Sequence, residues 1–490
     1  MHAPAAAAPG PSGARAGRAG FVVAAAAVLV AAAAIRLAAA RSGPLWFDEI
    51  YTLWVARRAP AELLATVAGD IHPPLHYLLV AAWRALGGES DLWIKSLSVA
   101  FGVATVGVTA ALGRALFGPA PALYAAALLA VHRVHVGFSQ ESRSYALLYL
   151  LLAAAAWAAW RWLAEARPRH AALYVLCGAA ALWTHYLAGA VLAALAVWGL
   201  VAPGAPARRA RWLGLHVAIA ALFAPQAPTL LDQMRRVQAD RWVPPAGFVN
   251  LADVARQLAF GATYLIAPLG ALALAPLVAP QRRRAATLLW VTGLLPVLVL
   301  WVLAQRGAGM FVERYMYFGL PAWCLLVAAG LDGRAWRPAR LAAAALLLAL
   351  AVRSLLLWGG QPEAKRLAQA ARHMRDLVAA GETVVHADAH SFAFFRHYAP
   401  DAGRHLLLMT GAPLAYYEGD LVIPSADRVD SAAWRAAIAG GGRWWGFYSR
   451  YAYAPAARAA AAIEAAADTA VLRTDRIVVW RGGSITPPAP

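Results

Sequence analysis

The sequence predicts an α-helical polytopic membrane protein, with about eleven transmembrane helices and a C-terminal extracytoplasmic α/β domain. Three observations predict it. The 490-residue chain is 61% hydrophobic and only 14% charged, with a mean hydropathy of +0.55. Soluble domains run at about 45–50% apolar and about 25% charged. Apolar runs near the length of a bilayer crossing, about 20 residues, recur up to residue 358. Arg clusters occupy alternate connections between those runs.

The formal charge of +19 does not point to nucleic acid, because the Arg residues fall between apolar runs instead of along one face. Lys95 and Lys365 are the only lysines, so Arg is almost the sole cation. Cys177 and Cys324 both lie inside apolar runs, which suits neither a disulfide framework nor a metal site.

Residues 1–19 read as a disordered cytoplasmic tail. The run 21–40 is a retained first span, not a cleaved signal peptide, because many spans follow it. Further spans are expected at 93–113, 121–138, 146–162, 171–185, 187–203, 212–231, 262–280, 286–304, 316–333 and 340–358. With the N-terminus in the cytoplasm, the cytoplasmic segments hold Arg15/Arg18, Arg114, Arg161/Arg167/Arg169, Arg208/Arg209/Arg211, Arg282/Arg283/Arg284 and Arg334/Arg337/Arg340. That is the bias expected of a plasma (inner) membrane protein, and an odd number of spans puts the C-terminal region outside. Residues 20–358 then form the membrane domain. Residues 359–483 form a small α/β domain, and 484–490 a flexible tail. Strands are expected at 383–387, 406–409, 421–424, 444–448 and 476–480, with helices at 362–380, 390–398, 431–439 and 455–467.

The outer connections carry the polar chemistry. The longest, 41–92, opens with Leu45-Trp46-Phe47-Asp48-Glu49 just after the first span. The two carboxylates either cap a helix or work as a base among aromatics, where desolvation raises a carboxylate's pKa. Residues 50–67 have helical periodicity and suit a helix lying in the membrane surface. His72-Pro73-Pro74-Leu75-His76 offers a metal pair, a substrate contact or a structural turn; the prolines interrupt the helical spacing that a two-His metal site uses. Ser139-Gln140-Glu141-Ser142-Arg143-Ser144-Tyr145 either seals two helix ends or forms a polar wall. Thr184-His185-Tyr186 fills a very short connection. Glu313-Arg314-Tyr315 begins the tenth span, where an Arg either pairs with Glu313 or binds a phosphate bidentately.

These motifs, in this order, resemble the bacterial branch of the protein O-mannosyltransferase-like glycosyltransferases, family 39, of the GT-C fold group that includes lipid A aminoarabinose transferases. The resemblance covers about residues 20–335. It implies a polyprenyl-phosphate-linked sugar donor and a catalytic acid in the first outer loop. That acid is Asp48, with Glu49 beside it. Arg143, Glu141, Gln140 and Tyr145 match the second-loop motif, Arg314 and Tyr315 the late Arg-Tyr position, and His72 and His185 join the substrate-binding candidates. Some relatives use a divalent metal near these loops; the candidates here are His72, His76 and Glu49, without a secure ligand set. The expected reaction is inverting transfer to an acceptor hydroxyl of a protein, lipid or glycan, with membrane lipids as further partners and no nucleic acid. The alternative is a transporter or flippase of lipid-linked saccharides. Such proteins show repeated halves and broken helices near the midplane, and the sequence shows neither signal.

Overall fold

The structure is a computed structural model and describes residues 11–201, 206–240, 245–306, 311–333, 337–379, 381–410, 414, 419–439, 442–449, 454–474 and 476–483. The tail 484–490 and residues 1–10 lie outside the described residues. The chain forms two units: Met1–Ala40, Ile71–His76 and Lys95–Trp358 in the first, and Arg41–Asp70, Tyr77–Ile94 and Gly359–Pro490 in the second.

The first unit is helical. Its opening helix runs Pro11–Arg41, so residues 11–19 are not the free tail that composition suggested. An Ala-rich membrane helix, once nucleated, propagates into adjoining helix formers at little cost. Seven helices among the described residues are long and apolar enough to cross a membrane, or nine if each of two bent pairs counts as one span. Eleven were expected, and among the described residues at most nine meet that measure. All the expected spans are helical, but Pro168–Thr184 and Ala188–Val201, at 17 and 14 residues, fall short of a full crossing. Pro opens Pro119–Val131, Pro168–Thr184 and Pro280–Leu289, where its missing N–H costs no bond. Val22, Val30, Leu176, Val197 and Leu346 are exposed along their helices, as lipid-facing side chains are. Trp212 packs at the centre between Trp162 and Tyr174, with ring centroids 5.6 Å and 4.9 Å away.

Broken helices are present, contrary to expectation. Pro119–Val131 and Arg133–Ser139 meet at 63°, and Phe248–Leu258 and Thr263–Val278 at 78°. The first break is an extended residue, His132; the second uses left-handed Phe260 and Gly261. Neither has a Pro, so the hydropathy pattern carries no mark of them. Their freed carbonyls are taken by protein donors: Leu129 and Ala130 by Arg36, Leu258 by the Trp323 indole at 2.9 Å, and Phe260 by the Ser354 hydroxyl at 2.5 Å.

The second unit holds a six-stranded sheet ordered β3-β2-β1-β4-β6-β5. Its strands are β1 (Thr383–His386), β2 (Arg404–Leu408), β3 (Arg428–Val429), β4 (Trp444–Ser449), β5 (Thr469–Arg473) and β6 (Ile477–Gly482). β3, β2, β1 and β4 are parallel; β6 pairs antiparallel with both β4 and β5. Residues 421–424 form a turn, not the expected strand; the ladder is taken by Arg428 and Val429. β5 was not expected. It is an edge strand exposed at all five positions, so it needs no apolar face. The loop segments form Phe47–Ala56, Pro60–Gly69 and Leu75–Gly87. The first two replace the single surface helix expected over 50–67. Pro60 starts a new helix, and Leu53, Val55 and Leu63 are buried in a protein core with Leu367, Phe392 and Phe395.

Candidate functional site

In the first unit the loops at several helix ends bring polar side chains together. His185 ends Pro168–Thr184 in an extended conformation, and its Nδ1 accepts the Leu187 N–H at 3.3 Å. Around it stand His72 at 5.9 Å, Tyr315 at 5.2 Å and Tyr145 at 6.4 Å between ring centroids. Tyr145 and Tyr315 lie 5.9 Å apart, and the Arg314 guanidinium stacks 5.4 Å from the Tyr315 ring. Burial, then the charges of Arg143 and His72, pushes the His76 imidazole down to about 3. Burial, His72, Arg143 and Arg314 push His185 down to about 3 as well. The same electrostatics therefore places Arg143, Arg314, His72, His76 and His185 in one neighbourhood. His76, Arg143, Tyr145 and His185 are buried; His72, Gln140, Glu141, Arg314 and Tyr315 are half-buried.

Because Nδ1 of His185 accepts, the neutral ring carries its proton on Nε2. That nitrogen is buried and has no hydrogen-bond partner among the described residues. A buried donor beside two guanidiniums calls for an anionic acceptor. Glu313 accepts a hydrogen bond from the Asn250 amide.

Arg36, which the motif reading missed, anchors the helix end from which the 140–144 loop leaves. Arg36 has no exposed surface. Its guanidinium donates to the carbonyls of Ala32, Ala130 and Leu129 at 3.1, 2.9 and 3.3 Å, to His135 Nδ1 at 2.6 Å and to Ser139 Oγ at 3.1 Å. Ser139 directly precedes Gln140. The available signal was a charge inside an apolar run, which costs about 2.5–3.5 kcal/mol at a helix centre unless it is satisfied.

In the second unit, Asp48 and Glu49 lie in the first turn of Phe47–Ala56. Their surroundings separate them. Glu49 is buried, and its Oε2 accepts the Trp46 N–H at 3.0 Å, closing a capping arrangement. Asp48 is half-buried.

No group of three or more His, Cys, Asp or Glu side chains among the described residues is placed to hold a metal ion. His76 and His185 stand in the field of Arg143, which repels a cation.

Residues 71–230 match the dolichyl-phosphate-mannose-protein mannosyltransferase family. The crystal structure of ArnT from Cupriavidus metallidurans in the apo state is similar, with a TM-score of 0.64 over 95% of this chain and 98% of that one, at 14% identity. The fold is GT-C. The crystal structure of ArnT bound to undecaprenyl phosphate gives a TM-score of 0.62 at 15% identity, over 94% of this chain and 98% of that one. No curated protein matches the chain by sequence. The GT-C assignment agrees with the polytopic helical unit and the C-terminal sheet, and the family match with the motif order from His72 to His185.

Proposed function

We propose that the chain is a membrane glycosyltransferase that moves a sugar from a polyprenyl-phosphate donor to an acceptor hydroxyl on the extracytoplasmic face of the plasma membrane, with inversion. The observation that carries this reading is the convergence of Arg143, Arg314 and the unpaired Nε2–H of His185 in the first unit. Two permanent cations and a buried donor match a phosphate. Support comes also from the fold, since ArnT, of similar architecture, was solved with undecaprenyl phosphate.

The chemistry requires little more. In the step, the acceptor oxygen forms a bond to the anomeric carbon as the bond from that carbon to the phosphate oxygen breaks. The acceptor proton passes to the Asp48 carboxylate, and the electron pair leaves on polyprenyl phosphate. A phosphate is a competent leaving group, so its departure needs cationic stabilisation more than a proton donor. Arg143 and Arg314 supply the charge, and His185 one further hydrogen bond. Asp48 is the base; Glu49, committed to its helix cap, holds the turn that presents it. Tyr145, Tyr315, His72, Gln140 and Glu141 line the donor's polar end. The acceptor is a hydroxyl of a protein, a lipid or a glycan.

The test is direct binding of undecaprenyl phosphate to the purified chain, read by tryptophan fluorescence. Arg143→Gln and Arg314→Gln each weaken binding about ten- to hundredfold, the worth of one charge-assisted hydrogen bond. Wild-type affinity in both variants would overturn the phosphate assignment. Asp48→Asn binds normally and transfers no sugar; transfer at the wild-type rate would overturn the base.

A further inference from the structure

The helix Ala389–Tyr398 of the C-terminal domain grips the segment that carries Asp48 at two points. Its start is fixed by Asp388, whose carboxylate accepts the Ser391 N–H at 2.8 Å and, from the end of β4, the Ser449 N–H at 2.8 Å. The second residue of that helix, His390, stacks on Phe47 with ring centroids 4.1 Å apart and planes at 28°. Phe47 is the residue before Asp48, and the Asp48 carboxylate acts on the His390 ring electrostatically. At the other end, the Tyr398 hydroxyl accepts the Leu45 N–H at 2.6 Å and donates to Asp91 at 2.9 Å. Between these points Phe392 and Phe395 are fully buried in the core that also holds Leu45, Phe47 and Ile50. The carboxylate therefore sits on a turn whose flanks are fixed by a helix more than three hundred residues downstream.

We propose that His390 is a positioning residue for the Asp48 carboxylate, so that the C-terminal domain supplies a working part of the transfer machinery. The inference rests on Asp48 being the base. Stacking on Phe47 sets the ring in place, and the imidazole then sets the carboxylate for the acceptor hydroxyl. Burial lowers the His390 imidazole while the Asp48 charge pulls it back up, as expected of a ring whose partner is that carboxylate.

The experiment compares His390→Phe, which keeps a ring on Phe47 but loses both nitrogens, with His390→Gln, which keeps hydrogen-bonding capacity. Both are made in the full-length chain in lipid nanodiscs. The donor probe is the polyprenyl-phosphate-sugar fraction extracted from the source membranes, and turnover is read as released polyprenyl phosphate. His390→Phe is expected to keep the unfolding midpoint and the affinity for undecaprenyl phosphate within twofold. Its turnover falls about tenfold to a hundredfold, the usual effect of a misplaced reacting group. His390→Gln recovers part of that loss. Combined with Asp48→Asn, His390→Phe brings no further decrease, because it acts through the carboxylate. Wild-type turnover in His390→Phe alongside an inactive Asp48→Asn would overturn this proposal and leave the base assignment standing. Wild-type turnover in Asp48→Asn would overturn the base, and this inference with it. Equal loss of folding, phosphate binding and turnover in both His390 variants would reduce His390 to a structural residue.

Discussion

Arg36 has an N–H donor for each of five acceptors, and four of them flank the break after Val131: Leu129 and Ala130 before it, His135 and Ser139 after it. A carbonyl left unpaired in a buried break costs about 1–3 kcal/mol. Arg36→Met strands the Ala130 carbonyl and frees Ser139 from its anchor. We expect a lower thermal midpoint and weaker undecaprenyl phosphate binding, because Arg143 follows Ser139 by four positions. Arg36→Lys, with three donors and no fork, restores only part of both. An unchanged midpoint in Arg36→Met would show that the break holds without it. The same scale separates Asp48 from Glu49. As a sequence they are two adjacent acids with equal claims; in the structure Glu49 accepts the Trp46 N–H and caps its own helix.

Between elements, one close backbone approach lies at Gly293 and Gly319. The span Pro280–Gln305 passes through a π turn at Trp290–Leu294, and there Gly293 meets Gly319, the last residue of the turn that begins with Glu313 and Arg314. A Cβ on Gly319 would run into the Gly293 carbonyl oxygen, which is backbone and cannot rotate away. Such overpacking costs about 1–3 kcal/mol. Gly319→Ala is therefore expected to lower the thermal midpoint and to shift Arg314, weakening phosphate binding. Gly270→Ala, with nothing within 4 Å of its added carbon, leaves both unchanged. Equal midpoints for the two variants would remove the argument. Small residues at a helix crossing are read from sequence as mere Gly content; which of them touch is a matter of packing.

For the second unit as a whole, acid is the vulnerable condition. His386 and His405 are buried at the edge of β1 and β2, with His386 Nε2 and His405 Nδ1 3.2 Å apart, and His405 Nε2 donates to the Ala399 carbonyl at 3.0 Å. Burial pushes His405 down to about 4 and His386 well below its usual value. The unfolded chain takes up these protons near pH 6.5 and the folded one does not, so stability falls as the pH drops below 6.5. At pH 5 the His405 contribution is about 2 kcal/mol. Asp388, raised by burial to about 6, works in the opposite direction between about pH 4 and 6, against two histidines. Thermal unfolding at pH 7, 6 and 5 checks this: the midpoint declines, and His405→Gln flattens the slope. A midpoint that rises on acidification contradicts it.

Composition and the Arg pattern determined on their own that this is a multi-span membrane protein with a C-terminal α/β domain, because hydrocarbon excludes charge whatever the packing. The motif order also determined which loops carry the polar residues. The helix breaks at His132 and Phe260 were not legible, since neither is marked by Pro and both depend on donors far away in the chain. Nor was the union of loop 41–92 with the C-terminal domain: its apolar face fits a membrane surface and a protein core equally well by periodicity. The tertiary structure decided for the core, with Leu45 and Phe47 packed beside Phe392 and Phe395. It also gave His185 its neighbours and Glu49 its cap. Those are relations between residues distant in sequence or between a side chain and one backbone N–H, and spacing alone does not encode them.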